Sequence, residues 1–450
     1  MTASGEAPIQ NTAPAPAIRV LHLAQSDGGG GANKAAFRLH RSLRDLGVAS
    51  TFHPGRKVGD DPDVIPAWPP VAGDFVSKLA AWLDSHSLDF YPDRRGDVFS
   101  PMRFCYGRPR RRLVAAADVV CLHWIAGSFL HPHRLAQLQK PLVWRLSDLW
   151  PFTGGCHFPG DCRKFENRCG SCPSLGSAID DDLAARGFAA RERYYDALDL
   201  TVAAPSRWIA EEAKRSQLFG RRRIVHIPTG IDVATFRPMP RAEARRRLDL
   251  PLDAPMLLFG AMDSTTNSRK GFAPLRRALG RFAQMPSARG ANAVVFGGET
   301  DAAKDVAKNV ETLPLIHVGK ISDQERLARL YAAADVLVAP FIEDNLPNVV
   351  LEALACGTPV VAFAAGGIPD AVEHQRNGVL VPVGDADALA DGIAWTLDPM
   401  RKPSLDAAAR ATALSRFDIA QCARAYRDLF AEIVADRAAG CPRLGATAGA

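Results

Sequence analysis

The chain is expected to fold as two tandem Rossmann-like α/β domains. Short apolar runs of strand length alternate with helix-like segments. That alternation occurs in both halves of the 450 residues. A glycine-rich loop also joins the first strand to the first helix, where backbone N–H groups and the helix dipole can approach a ligand closely.

In the first half, IRVLHLA (Ile18–Ala24) reads as a buried strand, followed by the loop Gly28–Gly31 and an amphipathic helix. The segment from about Thr51 to Arg112 is rich in Pro, Asp and Arg, and reads mainly as helices and loops over the sheet face. Leu113–Trp124 and Pro141–Asp148 then read as parallel-sheet strands. A cysteine-bearing insert follows at 151–173, then a helical run near Asp181–Leu198. The strand LTVAAPS comes next, and Ser206 caps the helix after it. This first domain is expected over 18–215, behind a disordered tail at 1–17.

The second half repeats the alternation through RIVHIPTG, APMLLFGAM, ANAVVFGG, LPLIHVGK, ADVLVAPF and PVVAF, with helix-like segments such as DQERLARLYAAA between them. A second domain is therefore expected over 216–400. A final amphipathic helix within 401–437 is expected to pack back toward the first domain, with a frayed tail at 438–450.

Hydrophobic residues make up 47% of the chain, charged residues 23% and aromatics 8%, which argues against a disordered, collagenous or coiled-coil protein. No apolar run approaches the roughly 18–20 residues of a membrane span, and Met1–Ala17 lacks the pattern of a signal peptide. A cytoplasmic location is expected. The net charge of +6 is uneven: residues 1–250 carry 35 Lys and Arg against 26 Asp and Glu, and the remainder 20 against 23. A basic first half suits phosphate, acidic lipid headgroups or nucleic acid, and equally a solvated arginine-rich surface. No nucleic-acid partner is expected.

The dinucleotide fingerprint fails, because its third glycine would fall on Asn33 or Lys34 and no acidic residue ends the next strand near Phe52. Gly29 and Gly30 read as a ligand-facing loop or as a plain tight turn. Cys156, Cys162, Cys169 and Cys172 fall within seventeen residues of the nine-cysteine chain. Four thiolates suit a closed tetrahedral zinc site pinning a long loop, with disulfides, free thiols and an iron–sulfur cluster as the alternatives.

The richest stretch is Phe341–Asp370, which sets Asp344 and Glu352 on either side of a loop opening a helix. Carboxylates there can grip sugar or ribose hydroxyls while loop N–H groups face a phosphate. From NLPNVVLEALACGTPVVA through GGIPD, this stretch resembles the donor-binding motif of retaining glycosyltransferase family 4. The resemblance implies the B-type fold, two Rossmann-like domains facing across a cleft. It gives Glu352 the ribose and places Asp344, a shortened carboxylate with Glu343 just before it, near the transferred sugar. Asn345 and Leu346 lie in the same donor-binding motif. NSRKGF resembles the family's phosphate-contacting lysine before a glycine, which implies Lys270 on the diphosphate, with Arg269 in place of an earlier arginine. IPTGIDVATFRP resembles the segment just after the interdomain crossing, and His123, at a strand end, falls where the family has a histidine near the sugar.

The stretch WRLSDLWPFTGGCHFPGDCRKFENRCGSCPSL resembles a subgroup associated with bacterial exopolysaccharide and colanic-acid-type assembly. That subgroup often has His-Asp where this chain has Ser147-Asp148, leaving Asp148 as an acceptor-site or structural carboxylate. The resemblance therefore implies a retaining glycosyltransferase. Its donor, a UDP- or GDP-sugar, lies in the second domain, and a glycan or lipid-linked acceptor docks on the first. No catalytic metal is expected, structural zinc is, and the basic half suits peripheral contact with the inner face of the plasma membrane. Alternatives are a sugar-nucleotide epimerase, a soluble-acceptor synthase, or a noncatalytic partner in polysaccharide assembly.

Overall fold

The computed structural model describes residues 17–260, 268–297 and 313–440. Two six-stranded parallel sheets form its frame. The first contains β1 (Arg19–Ser26), β2 (Ala49–Arg56), β3 (Val119–Leu122), β4 (Leu142–Arg145), β5 (Leu200–Ala204) and β6 (Arg223–His226), in the order β2-β1-β3-β4-β5-β6. The second contains β7 (Met256–Gly260), β8 (Asn292–Phe296), β9 (Leu315–Gly319), β10 (Val336–Ala339), β11 (Val360–Phe363) and β12 (Gly378–Val381), in the order β12-β11-β10-β7-β8-β9. Central strands such as VVCL of β3 and VLVA of β10 are buried along their whole length, because helices cover both faces.

Each order contains a point where successive connections leave in opposite directions: between β1 and β3 in the first sheet, and between β7 and β10 in the second. Ligands of open α/β sheets bind in the crevice at the carboxyl ends of strands flanking such a point. Topology alone therefore points to the strand ends at Ser26, Leu122, Gly260 and Ala339.

Two expectations are corrected. RIVH, assigned by its sequence to the second domain, is β6: it pairs with β5 through Ala204 and His226 and extends the first sheet. The first sheet thus runs past residue 215 to His226, and the chain crosses to the second domain after it. The C-terminal segment is two helices where one was expected. Lys402–Arg416 stays with the second domain against the helix Asn348–Ala355. Ile419–Ala438 crosses back onto the helix Gly31–Asp45 and β3, burying Tyr426, Phe430 and Ile433 against Leu39, Leu43 and Val119. The break falls where Ile231 pairs with the Phe417–Ile419 backbone: the Ile231 N–H donates to the Phe417 carbonyl at 2.6 Å, and the Ile419 N–H to the Ile231 carbonyl at 2.9 Å. Gly230 is needed beside this bridge, since a Cβ there would lie 2.6 Å from the Ile419 Cα.

In the Pro- and Asp-rich segment, the helix Pro70–His86 buries a face of small and polar residues, Gly73, Ser77, Ala80 and Asp84. Asp84 is satisfied there by the backbone N–H groups of Met102, Arg103 and Phe104. Val76 packs against the first-domain core, while Val71, Phe75, Leu79 and Trp82 point outward. Among the described residues no helix is long and apolar enough to cross a membrane. The two expected tails lie almost wholly outside the described residues.

Candidate functional site

On the second-domain side, the turn Ser268–Lys270 leads into the helix Phe272–Phe282. Gly271 between them has φ +69°, and a Cβ there would meet the Pro340 carbonyl oxygen at 1.6 Å. Only glycine lets this turn lie against the loop after β10, where the Ile342 N–H donates to the Arg269 carbonyl at 2.8 Å. The contact brings both cations to one carboxylate: Asp344 Oδ2 accepts from Arg269 at 2.8 Å and from Lys270 at 3.0 Å. Burial opposes ionisation of Asp344, but the charges of Lys270 and Arg269 outweigh it and hold its carboxyl below the usual range. Ser264 and Asn267, upstream of this turn, lie outside the described residues.

Glu343 points the other way. Its Oε2 accepts the N–H of Gly160, in the cysteine insert of the first domain, at 3.0 Å, and burial pushes its carboxyl up to about 7. Asn345 is buried between the domains: its Oδ1 accepts from Ser206 Oγ at 2.6 Å, and its Nδ2 donates to the carbonyls of Leu146 and Ser147 at 3.4 and 3.3 Å. Leu346 is buried in the second-domain core. Glu352 is buried on the helix Asn348–Ala355, where its Oε2 accepts from the Tyr331 hydroxyl at 3.0 Å and its Oε1 lies 3.6 Å from Arg38 of the first domain.

The first-domain side presents the glycine loop and the end of β3. A Cβ on Gly29 or Gly30 would have no atom within 4 Å, so the loop is open there, while the Gly31 carbonyl accepts from Asn348 Nδ2 at 3.0 Å across the cleft. His123 is buried directly after β3, with its Nε2 2.8 Å from Nδ1 of His22. Burial pushes both imidazoles well below their ordinary values, so both are neutral near pH 7. The Nδ1 of His123 is buried and has no hydrogen-bond partner. His22, Cys121 and His123 bring their ligand atoms within 4.8 Å of one another. The charge of nearby Arg145 acts on His123 and Cys121 and opposes a cation there.

Asp148 is placed differently from an acceptor-site carboxylate. Its Oδ2 accepts from Trp124 Nε1 at 2.8 Å and from His157 Nδ1 at 2.6 Å, and its Oδ1 from the Trp150 N–H at 3.0 Å. Both oxygens are engaged, so Asp148 acts on the site through the residues it orients. Cys156, Cys162, Cys169 and Cys172 line one small cavity together with Phe165 and Ala184. Between the first two, Phe158 lies under the Arg269 guanidinium at 4.0 Å.

The structure thus brings Lys270, Arg269 and Asp344 into one cluster, sets Glu352 of the second domain against Arg38 of the first, and buries His123 at the end of β3. Sequence reasoning missed Arg38, Tyr331, His22, Asn348 and Phe158. Arg38 had one available signal, its place two turns into the helix behind the glycine loop.

Residues 255–398 match the family model described as Glycosyl transferases group 1. The fold is the B-type glycosyltransferase fold, and the protein is a glycosyltransferase. Its relatives include a D-inositol 3-phosphate glycosyltransferase of Thermobispora bispora, 27% identical and aligned over 84% of this chain and 85% of the relative. A second D-inositol 3-phosphate glycosyltransferase, from Catenulispora acidiphila, is 29% identical over 92% and 93%. These relatives are not of the colanic-acid type that the cysteine-bearing stretch suggested. Among solved structures, sucrose-phosphate synthase from Thermosynechococcus elongatus superposes with a TM-score of 0.62 at 20% identity, covering 92% of this chain and all of that one. Anabaena Alr3699/HepE in complex with UDP-glucose superposes with a TM-score of 0.61 at 19% identity, with the same coverage.

Proposed function

We propose that the protein is a retaining glycosyltransferase that takes a sugar from a UDP- or GDP-sugar held by the second domain and passes it to an acceptor hydroxyl on the first. The observation that carries this reading is the Arg269–Lys270–Asp344 cluster at the carboxyl ends of β7 and β10, at the sheet's switch point. Two cations held on one carboxylate leave a net positive charge, suited to the diphosphate that departs when the sugar–oxygen bond breaks. Glu352, fixed by Tyr331 and Arg38, is set to accept hydrogen bonds from ribose hydroxyls. His123, neutral and with Nδ1 free, is set against a sugar hydroxyl. No catalytic metal is needed for these roles, because the protein's own cations face the leaving group. Titration calorimetry with UDP and GDP, without added metal, tests the reading. One nucleotide is expected to bind clearly better than the other; binding of neither would remove the donor site.

The acceptor is proposed to be a lipid-linked glycan at an anionic membrane surface, in bacterial surface polysaccharide assembly. The helix Pro70–His86 supports this, because Val71, Phe75, Leu79 and Trp82 recur every three to four residues on its exposed side. Val71 is 86% exposed, Phe75 66% and Trp82 56%, and Phe90 beyond the helix is 80% exposed. Exposed Arg94, Arg95, Arg103, Arg108, Arg111 and Arg112 follow in the chain. Apolar side chains beside such cations fit an interface with acidic headgroups. Co-sedimentation with vesicles of phosphatidylglycerol is expected, with little on phosphatidylcholine. The double variant Phe75→Ser, Trp82→Ser is expected to lose at least about tenfold in affinity. Equal binding by the variant would remove the membrane reading. The relatives' names favour a second acceptor, a soluble phosphorylated polyol, which an acceptor screen on the same variant would separate, since its transfer to a soluble acceptor would be unchanged.

A further inference from the structure

The insert between β4 and β5 is a run of short turns, Trp150–Phe152, Lys164–Glu166 and Pro173–Leu175, with little regular structure of its own. Such a stretch needs a local staple. Four cysteines from its length converge on one cavity, and none is in a disulfide. Backbone N–H groups point at two of the sulfurs, those of Ser174 and Leu175 at Cys172 and that of Gly154 at Cys169, although burial favours the neutral thiols while no cation is bound.

Arg191 supplies an independent observation. It is fully buried over the Trp150 ring, 4.4 Å from its centroid, and its charge acts on Cys156 and Cys169. Its Nη1 donates to the Gly187 carbonyl at 2.9 Å and the Tyr195 hydroxyl lies beside it, but its Nε and Nη2 make no hydrogen bond of ordinary geometry and, among the described residues, no carboxylate faces it. A buried guanidinium left this way is costly unless an anion faces it. Four neutral thiols or two disulfides would not supply one, whereas four thiolates around one Zn²⁺ carry two net negative charges.

We propose that Cys156, Cys162, Cys169 and Cys172 bind one structural Zn²⁺ as thiolates, with Arg191 as the buried counter-charge, and that this ion fixes the Phe158–Gly160 turn against Arg269 and Glu343. Binding transfers no electrons: four S–H protons leave to solvent as four sulfur–zinc bonds form. No three of the sulfurs all lie within 4.8 Å of one another in the thiol form, so binding would draw them together. The ion is structural because four protein ligands leave no open position for a substrate.

The test uses the full chain purified without chelator from zinc-supplemented cells. Elemental analysis is expected to give about one zinc per chain, falling below about a tenth in the Cys169→Ser, Cys172→Ser variant. Cobalt substitution is expected to give intense thiolate-to-cobalt charge-transfer absorption. Because the variant could fail to fold, the native protein is also stripped with a chelator and probed with trypsin. Cleavage after Arg163, Lys164 or Arg168 is expected to speed up and to slow again when zinc is restored. Absence of zinc from the native protein, iron with visible colour, or disulfides found by thiol titration before reduction would each overturn the proposal. Unchanged proteolysis on stripping would overturn the link to the turn. None of these readouts requires the donor-site reading to hold.

Discussion

Lys270→Ala is expected to slow sugar transfer by about a hundredfold or more, while leaving the thermal midpoint nearly unchanged. Lys270 sits at the end of a short turn with its side chain partly exposed, and when it is absent Asp344 keeps Arg269 at 2.8 Å. The fold therefore loses one of two ion pairs to a carboxylate that stays satisfied, which costs little. The departing diphosphate loses a point charge for which no neighbouring group substitutes in kind, because the Arg269 guanidinium also donates to the Glu343 carbonyl at 2.7 Å and lies over Phe158. Steady-state transfer assays beside a melting curve distinguish the two effects. Near-normal kcat/KM in the variant would place the leaving group elsewhere.

Gly366→Ala is expected to destabilise the protein by about 3 kcal/mol or more, a large effect for a single methyl group. Gly366 has φ +53°, and its added Cβ would lie 1.8 Å from the Asp344 carbonyl oxygen. The backbone at Asp344 would have to move, carrying with it the carboxylate on which Arg269 and Lys270 converge. Activity should thus fall even in molecules that remain folded. Denaturant unfolding measures the first loss, and nucleotide binding below the transition measures the second. A variant as stable as the parent would show that this loop relaxes freely.

These predictions rest on residues of unequal visibility in the sequence. Continuous apolar runs such as VVCL and VLVA show buried parallel strands directly, because both faces of such strands are covered. The edge strand RIVH has two exposed ends and carries no comparable signal, and its assignment to the first sheet depends on pairing with β5. Lys270, Asp344 and Glu352 were singled out because they lie in contiguous stretches that resemble a known donor-binding motif, Lys270 directly before Gly271. The glycine in Gly271 and those in Gly366–Gly367 are required by approaches of 1.6 to 1.9 Å that no side chain could survive. Arg38 and Tyr331, which hold Glu352, come from elements remote in the chain, and no local pattern marks them. For Asp148 the resemblance left an acceptor-site and a structural role open, and the indole and imidazole that occupy it are set by tertiary packing that no local pattern marks.

The pairing of Ile231 with Phe417 and Ile419 places the two interdomain connections side by side. Two adjacent tethers define a line, and motion of one lobe against the other is softest as a swing about it. Sliding would shear both backbones. Arg38 sits at the line itself, donating to the Gly230 carbonyl at 2.8 Å, whereas Asn348–Gly31 and Gly160–Glu343 join the lobes through other elements. A small angular opening would therefore release them together, so that substrate entry and product exit share a single coordinate.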